Sequence, residues 1–408
     1  SPKVSFPKDK IKFLLLENIH SSAIRRLEQA GYAVETVAKS LSEDELLEAI
    51  KDVHVLGIRS KTKVTAKHFA AAKKLFAVGC FGVGTNQVDL KAAAAAGVPV
   101  FNAPYASTRS VAELALGMIL MLYRKLGDAN TKMHSGKWDK SAKGSLEIRG
   151  KTLGLVGYGH IGQQVGLLAE SAGMSVVFFD MTKRLPLGTA KAVATMDELF
   201  AVSDVISLHV PAMPGGKALI GETEFSKMKQ GAALVNVSRG SLIEVEAAKA
   251  ALTSGRISGL ALDVFPKEPS TNQADFSFEL SGVPNVVMTP HIGGSTEEAQ
   301  FSIGVEVADS FVSYMDSGIT AGAVNFPQVN LPSFPGTHRI LNVHRNEPGV
   351  ASKINGVLAE IGANIVAQYL ATSGDIGYMV MDVDDKLSVK ARDLIADMPT
   401  SIKTRVLY

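Results

Sequence analysis

Cysteine is nearly missing from this chain. Cys80 stands alone in 408 residues, which excludes an internal disulfide. Its apolar setting, KLFAVGC, makes it a small core residue in a protein expected in a reducing compartment. Charge of one sign is missing too. Forty-two lysines and arginines against 40 aspartates and glutamates leave +2, so no strong field draws the chain to nucleic acid or membrane. Long apolar runs are also lacking. The richest, VAELALGMILMLY, is broken by Glu113 and ends at Arg124 and Lys125, short of the ~20 residues a membrane span needs, so a buried helix is expected. The opening SPKVSFPKDK is polar, with no apolar stretch behind it, so no secretory leader is expected. These absences point to a cytoplasmic protein with no nucleic-acid or membrane partner, and no metal site is expected. What is present is ordinary globular material, 46% apolar and 20% charged, in a chain too long for one core.

Short apolar runs alternate with helical patterns from residue 11 to 101: IKFLLL, YAVETV, VHVLGI, KLFAVG and VPVFNA read as strands. The rhythm restarts after residue 150 with TLGLVG, SVVFFD, DVISLHV, AALVNV, SGLALDV and NVVMTP. Such alternation implies parallel sheets with helices on both faces, hence two doubly wound units joined by a helical stretch near residues 108–130. The helix after Ser295 has no place in the second unit and should return to the first. Residues 327–337, with three prolines and a glycine, read as a linker. Beyond them the order βαββαβ describes a small ferredoxin-like domain. The expected domains are therefore 1–106 with 295–330, 107–294, and 337–408.

LGLVGYGHIGQQVG places Gly157, Gly159 and Gly162 in G-x-G-x-x-G spacing. The motif follows an apolar strand, opens a helix and has Asp180 ending the next strand, the context that dinucleotide binding requires. Gly157 permits the tight turn, Gly159 the approach of a pyrophosphate, and Gly162 close packing of helix on strand. Asp180 favours NAD, because its charge would meet ribose hydroxyls and repel a 2′-phosphate; Lys183 and Arg184 pull the other way. GVGTNQ, residues 82–87, begins similarly but has Gln87 where the third glycine should be. It is either an anion-holding turn or a plain one.

Three polar groups lie at the carboxyl ends of later strands: Arg239 in NVSRGS, Glu268 in DVFPKEP and His291 in TPHIGG. Each has a bland reading as a surface or turn residue. Beside a nicotinamide they form a working set. Hydride transfer from an alcohol also removes a proton, which histidine suits near neutral pH. A carboxylate orients the imidazole and stabilises its charged form, and an arginine clamps a carboxylate at two points.

The segments RSKT, GCFGVGTNQVDL, FNAPYASTRSVAE, GYGHIG, NVSRG, ALDVFPKEP, TPHIGGST and HRNEPGV…GANIVAQYL make the whole chain resemble the D-isomer-specific 2-hydroxyacid dehydrogenases. Within them it resembles the short bacterial branch that carries one C-terminal ACT domain. The resemblance implies a flavodoxin-like substrate domain and a Rossmann domain. It implies oxidation of 3-phosphoglycerate to 3-phosphohydroxypyruvate with NAD at the entry to serine synthesis, with Arg239, Glu268 and His291 catalytic. Cofactor contacts are implied at Gly157, Gly159, His160, Ile161, Gly162, Asp180, Val237, Ser238, Asp263, Gly293 and Gly294, Asp263 facing the nicotinamide amide. Substrate contacts are implied at Arg59, Ser60, Lys61 and the loop before Arg109, where Ser107 replaces an expected asparagine. Trp138 and Lys140 reach a neighbouring subunit's substrate, or Trp138 only packs at an interface. In the tail, His344, Asn346 and Asn364 match positions that hold L-serine; otherwise the domain only dimerises. Gly293-Gly294 and Pro335-Gly336 are the expected hinges. A homotetramer is expected, through ACT edges and through the helix 110–125 with Leu114, Met118 and Met121 on its surface. The rivals are a sister enzyme acting on glycerate or another 2-oxoacid, and an NAD-sensing corepressor like the C-terminal-binding proteins, which lack an ACT tail.

Overall fold

A computed structural model describes residues 5–269 and 273–408; the first four residues of the lysine-rich opening lie outside these. The chain divides into two units, Ser1–Ala106 with Gln300–Tyr408, and Ser107–Ala299.

The first unit holds two sheets. One is parallel: β1 (Lys12–Leu16), β2 (Ala33–Val37), β3 (Val55–Ile58), β4 (Ala77–Cys80) and β5 (Val100–Phe101), in the order β2-β1-β3-β4-β5. β3 and β4 are buried along their whole length, as strands covered on both faces must be. The helix Glu297–Ser317 lays Val307 and Phe311 on this sheet. Gly79 makes room for them: a Cβ there would come within 2.4 Å of the Phe311 ring.

The second unit holds seven parallel strands. They are β6 (Thr152–Val156), β7 (Ser175–Phe179), β8 (Lys191–Ala192), β9 (Val205–Leu208), β10 (Ala232–Asn236), β11 (Ile257–Leu262) and β12 (Val286–Met288), in the order β12-β11-β10-β9-β6-β7-β8. The order reverses between β6 and β9, which places a ligand crevice beyond their carboxyl ends. The expected helix near 108–130 is two helices, Thr108–Arg124 and Leu126–His134, because Lys125 turns left-handed at φ 51. Met118 is only 1% exposed and packs in this unit's core with Ile119 and Leu122, so it does not share the outer stripe with Leu114 and Met121.

The tail forms the antiparallel sheet of the first unit: β13 (Thr337–Arg345), β14 (Ile365–Ser373), β15 (Ile376–Asp384) and β16 (Ser401–Leu407), in the order β14-β15-β13-β16. Successive side chains alternate between two cores. Ile340, Met379, Met381 and Val406 pack on the tail helices Val350–Glu360 and Ser388–Ala396. Leu341, Val343, Tyr378, Val380 and Leu407 pack with Phe311, Tyr314 and Phe326. Arg339 and Asp382, both fully buried, form a two-point pair with both contacts at 2.7 Å. Arg339 spends its other donors on the carbonyls of Ser317, Leu331 and Pro332 at 2.7–2.9 Å. The linker expected at 327–337 is therefore fastened at its middle, at Leu331 and Pro332.

Candidate active site

The nucleotide loop leaves β6 at Gly157, whose backbone is left-handed at φ 92. A Cβ there would lie 2.3 Å from the carbonyl oxygen of His209, and one at Gly162 would lie 2.3 Å from that of Gly157. A Cβ at Gly159 would meet nothing within 4 Å, so the space above it is open. No side chain caps the helix His160–Ser171 that begins there. A tight turn, an open cradle and an uncapped helix start fit a dinucleotide's diphosphate. Asp180 accepts from the Tyr158 amide at 2.9 Å and from the amide and hydroxyl of Thr182 at 2.9 and 2.8 Å. Burial alone would raise its pKa, but these hydrogen bonds and the Arg184 charge outweigh that and lower it. Arg184 leans on Asp180 at 3.5 Å. Beneath the loop, His209 is kept neutral by burial, its pKa pushed down to about 4.

A histidine–carboxylate pair forms at the exits of β11 and β12. Nδ1 of His291 lies 2.7 Å from Oε2 of Glu268, and Oε1 of Glu268 accepts from the Phe265 amide at 3.0 Å. The Glu268 hydrogen bond raises the His291 pKa above the ordinary imidazole value, against a smaller opposing effect of burial. Burial would raise the Glu268 carboxyl, yet His291, the Phe265 amide and the charge of Arg239 together lower it. Arg239 leaves β10 on a turn stapled by Asn236, whose side chain takes the Ser238 amide and gives to the Arg239 carbonyl. Gly240 lets this turn press on the Glu268 loop: a Cβ there would fall 1.9 Å from the Phe265 carbonyl carbon.

The bend that delivers His291 is not where the glycines suggest. His291 itself is left-handed, φ 54, while neither Gly293 nor Gly294 has positive φ. Asp263, 1% exposed, holds the bend by accepting from the Thr289 hydroxyl and the Ile292 and Gly293 amides at 2.6–2.8 Å. Expected to face the nicotinamide, Asp263 is thus also the anchor of the histidine loop. Val237 is buried, and the Ser238 hydroxyl donates to the Leu208 carbonyl at 2.6 Å.

In the first unit, Arg59 is partly exposed and Ser60 and Lys61 are exposed, on the loop after β3. Ser107 is buried at the start of the helix Thr108–Arg124 without capping it, and Arg109 pairs with Glu113 at 2.6 Å. Trp138 is 81% exposed and Lys140 is exposed.

The tail residues are not brought together within one chain. His344 is buried on β13, its Nδ1 2.9 Å from Asn342 Oδ1, and burial lowers its pKa. Asn346 sits beside the Gly374-Asp375 turn and Asn364 beside Asp384, at opposite ends of β15 and roughly 30 Å apart by strand rise.

Sequence reasoning overlooked Glu17, Asn236 and the anchoring use of Asp263. Glu17 carried the same signal that singled out Arg239, a polar residue at the exit of a buried parallel strand.

The family described as D-isomer specific 2-hydroxyacid dehydrogenase, NAD binding domain, matches residues 116–293, and an AHAS small subunit-like ACT domain matches residues 340–397. With the site's geometry and full-length relatives, this places the chain in the D-isomer specific 2-hydroxyacid dehydrogenase family. Those relatives include the D-3-phosphoglycerate dehydrogenase of Dictyostelium discoideum, 53% identical with 100% of both chains covered. The protein of that name from Escherichia coli K12 is 50% identical, again over 100% of both. Among solved structures, D-lactate dehydrogenase from Aquifex aeolicus in complex with NAD and lactic acid matches with a TM-score of 0.66 at 27% identity, over 78% of this chain and 100% of that one.

Proposed function

We propose that the chain oxidises 3-phospho-D-glycerate to 3-phosphohydroxypyruvate with NAD, the first step of L-serine biosynthesis. The observation that carries the chemistry is the His291–Glu268 pair beside Arg239 on the nucleotide-binding sheet; the names of the full-length relatives carry the substrate. Bound NAD supplies the hydride acceptor. Gly157, Gly159, His160, Ile161, Gly162 and Asp180 hold its diphosphate and ribose end, and Val237, Ser238, Asp263, Gly293 and Gly294 its nicotinamide end. With Nδ1 committed to Glu268, Nε2 of His291 takes the hydroxyl proton, and Glu268 stabilises the imidazolium that results. Arg239 clamps the substrate carboxylate. Arg59 and Lys61, with Ser60, meet the phosphate, and Ser107 gives a shorter-reaching hydrogen bond than asparagine would.

The domains are read as 1–106 with 295–330 for substrate, 107–294 for NAD and 337–408 for regulation. L-serine is the effector and a homotetramer the assembly. β14 is an edge strand exposing Val366, Tyr369 and Leu370. Pairing it antiparallel with a second copy would bring Asn364 of one tail to Asn346 and His344 of the other, which one chain alone does not do. The second contact uses the outer stripe of the helix Thr108–Arg124, with Leu114, Leu120 and Met121, and leaves Trp138 and Lys140 to reach a neighbour. Among the described residues no helix is long and apolar enough to cross a membrane, and a cytoplasmic location follows from the proposed pathway.

A panel of 2-oxoacids reduced with NADH and then NADPH, followed by absorbance, tests the assignment. Preference for hydroxypyruvate or lactate's oxoacid over 3-phosphohydroxypyruvate would overturn it.

A further inference from the structure

Glu17 stands where β1 ends, and it and Asn18 are both left-handed, φ 62 and 54. Its side chain is 7% exposed and faces the exit of the neighbouring strand, β3. Oε1 accepts from the amides of Arg59 at 3.2 Å and Thr62 at 2.8 Å, and Oε2 from that of Lys61 at 3.0 Å. From a third loop, Nε2 of Gln87 donates to the Arg59 carbonyl at 2.6 Å and the Gly84 carbonyl at 3.3 Å. The main chain of Arg59 is thus gripped at its N–H and at its carbonyl by side chains 42 and 28 residues away. Burying a carboxylate is costly unless it is well partnered, and here the partners are main-chain amides of one short loop.

That arrangement leaves the side chains of Arg59, Ser60 and Lys61 presented while their backbone is fixed. Two cations so close together repel, and each is flexible. Glu17 holds three amides of the loop, and a backbone so fixed removes much of the ordering cost when an anion binds. The same contact explains Gln87 in GVGTNQ: the position that breaks the glycine pattern is occupied by an amide that buttresses Arg59.

We propose that Glu17 and Gln87 are positioning residues that set selectivity for a phosphorylated substrate by fixing the loop 59–62 as a preformed partner for a dianion. This rests on the assignment of Arg59 and Lys61 to the substrate phosphate. The test compares reduction of 3-phosphohydroxypyruvate and of hydroxypyruvate with NADH in the full-length enzyme. Glu17→Gln and Gln87→Leu should each raise KM for the phosphorylated substrate about tenfold, with the preference over hydroxypyruvate falling by a similar factor and KM for NADH holding. Glu17→Asp, which keeps the charge but reaches fewer amides, should restore part of the preference. Arg59→Ala separates the two claims. If it leaves the preference intact, the phosphate assignment itself fails. If it abolishes the preference while Glu17→Gln and Gln87→Leu keep it, or lose both substrates equally, the positioning role is wrong. Should Glu17→Gln not fold, Gln87→Leu decides alone, since it removes only the buttress.

Discussion

Nδ1 of His291 and Oε2 of Glu268 lie 2.7 Å apart, and the other oxygen of that carboxylate is held by the Phe265 amide. The imidazole therefore cannot choose its tautomer freely: its second nitrogen, Nε2, is the one the carboxylate does not hold. His291→Ala should lower turnover by roughly 10²–10⁴-fold with NADH binding nearly intact, measured by steady-state rates and fluorescence titration.

Glu268→Gln should lower the His291 pKa, because the hydrogen bond from the carboxylate is the largest cause of its upward shift. Reduction needs the imidazolium and oxidation the neutral ring. The alkaline limb of reduction and the acid limb of oxidation should therefore both move to lower pH. Profiles of kcat/KM in the two directions check this, and limbs moving oppositely would exclude His291 as the titrating group. The pair also ties stability to pH. The raised pKa of His291 gives stabilisation present below the ordinary imidazole value and lost as pH rises through the raised one. The lowered pKa of Glu268 gives stabilisation present above the ordinary carboxylate value and lost as pH falls through the lowered one. The melting difference between the parent and Glu268→Gln should thus be larger near about pH 5–6 than at about pH 9.

Asp180→Ala should weaken NADH binding and improve NADPH binding. The like charge facing a 2′-phosphate is gone, and Arg184, now 3.5 Å from Asp180, is released toward it. The Tyr158 amide also loses its acceptor, so NADH affinity should fall more than loss of the ribose contact alone would cause. Titration of both cofactors decides; unchanged NADPH affinity would show that shape, not charge, sets the choice.

Gly240→Ala should lower turnover sharply although Gly240 touches no reacting group. Its Cβ has no room against Phe265 and Pro266, so the Arg239 turn must move off the Glu268 loop. KM for substrate should rise with kcat falling, while NADH titration changes little.

Arg339→Met should destabilise the chain by about 3–5 kcal/mol, since it strands the fully buried Asp382. Replacing both partners with apolar residues should recover much of that loss in a melting experiment, though the carbonyls of Ser317, Leu331 and Pro332 would remain without their donor.

The sheets were legible because buried parallel strands are continuous apolar runs, and the nucleotide loop because Gly157 and Gly162 stand where a Cβ has no room. The tail's docking was not. HRILNVHR and IGYMVMDVD are buried on both faces, and such strands read the same whether the second face meets a helix layer or another domain. The pairing of His291 with Glu268 could be anticipated from their place at strand exits. The supports were not: Asp263 and Asn236, which hold the turns of His291 and Arg239, and Glu17, which holds the separate loop 59–62, act on main-chain amides, which leave no mark in the sequence of the segment they hold. Nor did the flanking glycines reveal that the left-handed residue in this bend is His291 itself.

The tail is tied to the body of its unit by side chains on one partner and carbonyl oxygens on the other. Arg339 reaches Ser317, Leu331 and Pro332, Tyr378 reaches Gly318, Lys403 reaches Leu75 and Arg405 reaches Met315. A carbonyl is common to every residue, so the receiving surface makes little demand on side-chain identity at those positions. The hydrogen-bonding half of the joint is specified by the tail, while Phe76, Phe311, Tyr314 and Phe326 of the body specify its apolar half. The body could drift in sequence at those carbonyl positions but not at its aromatic ones, and a foreign tail would need the same donors and the same apolar residues in register to be grafted in its place.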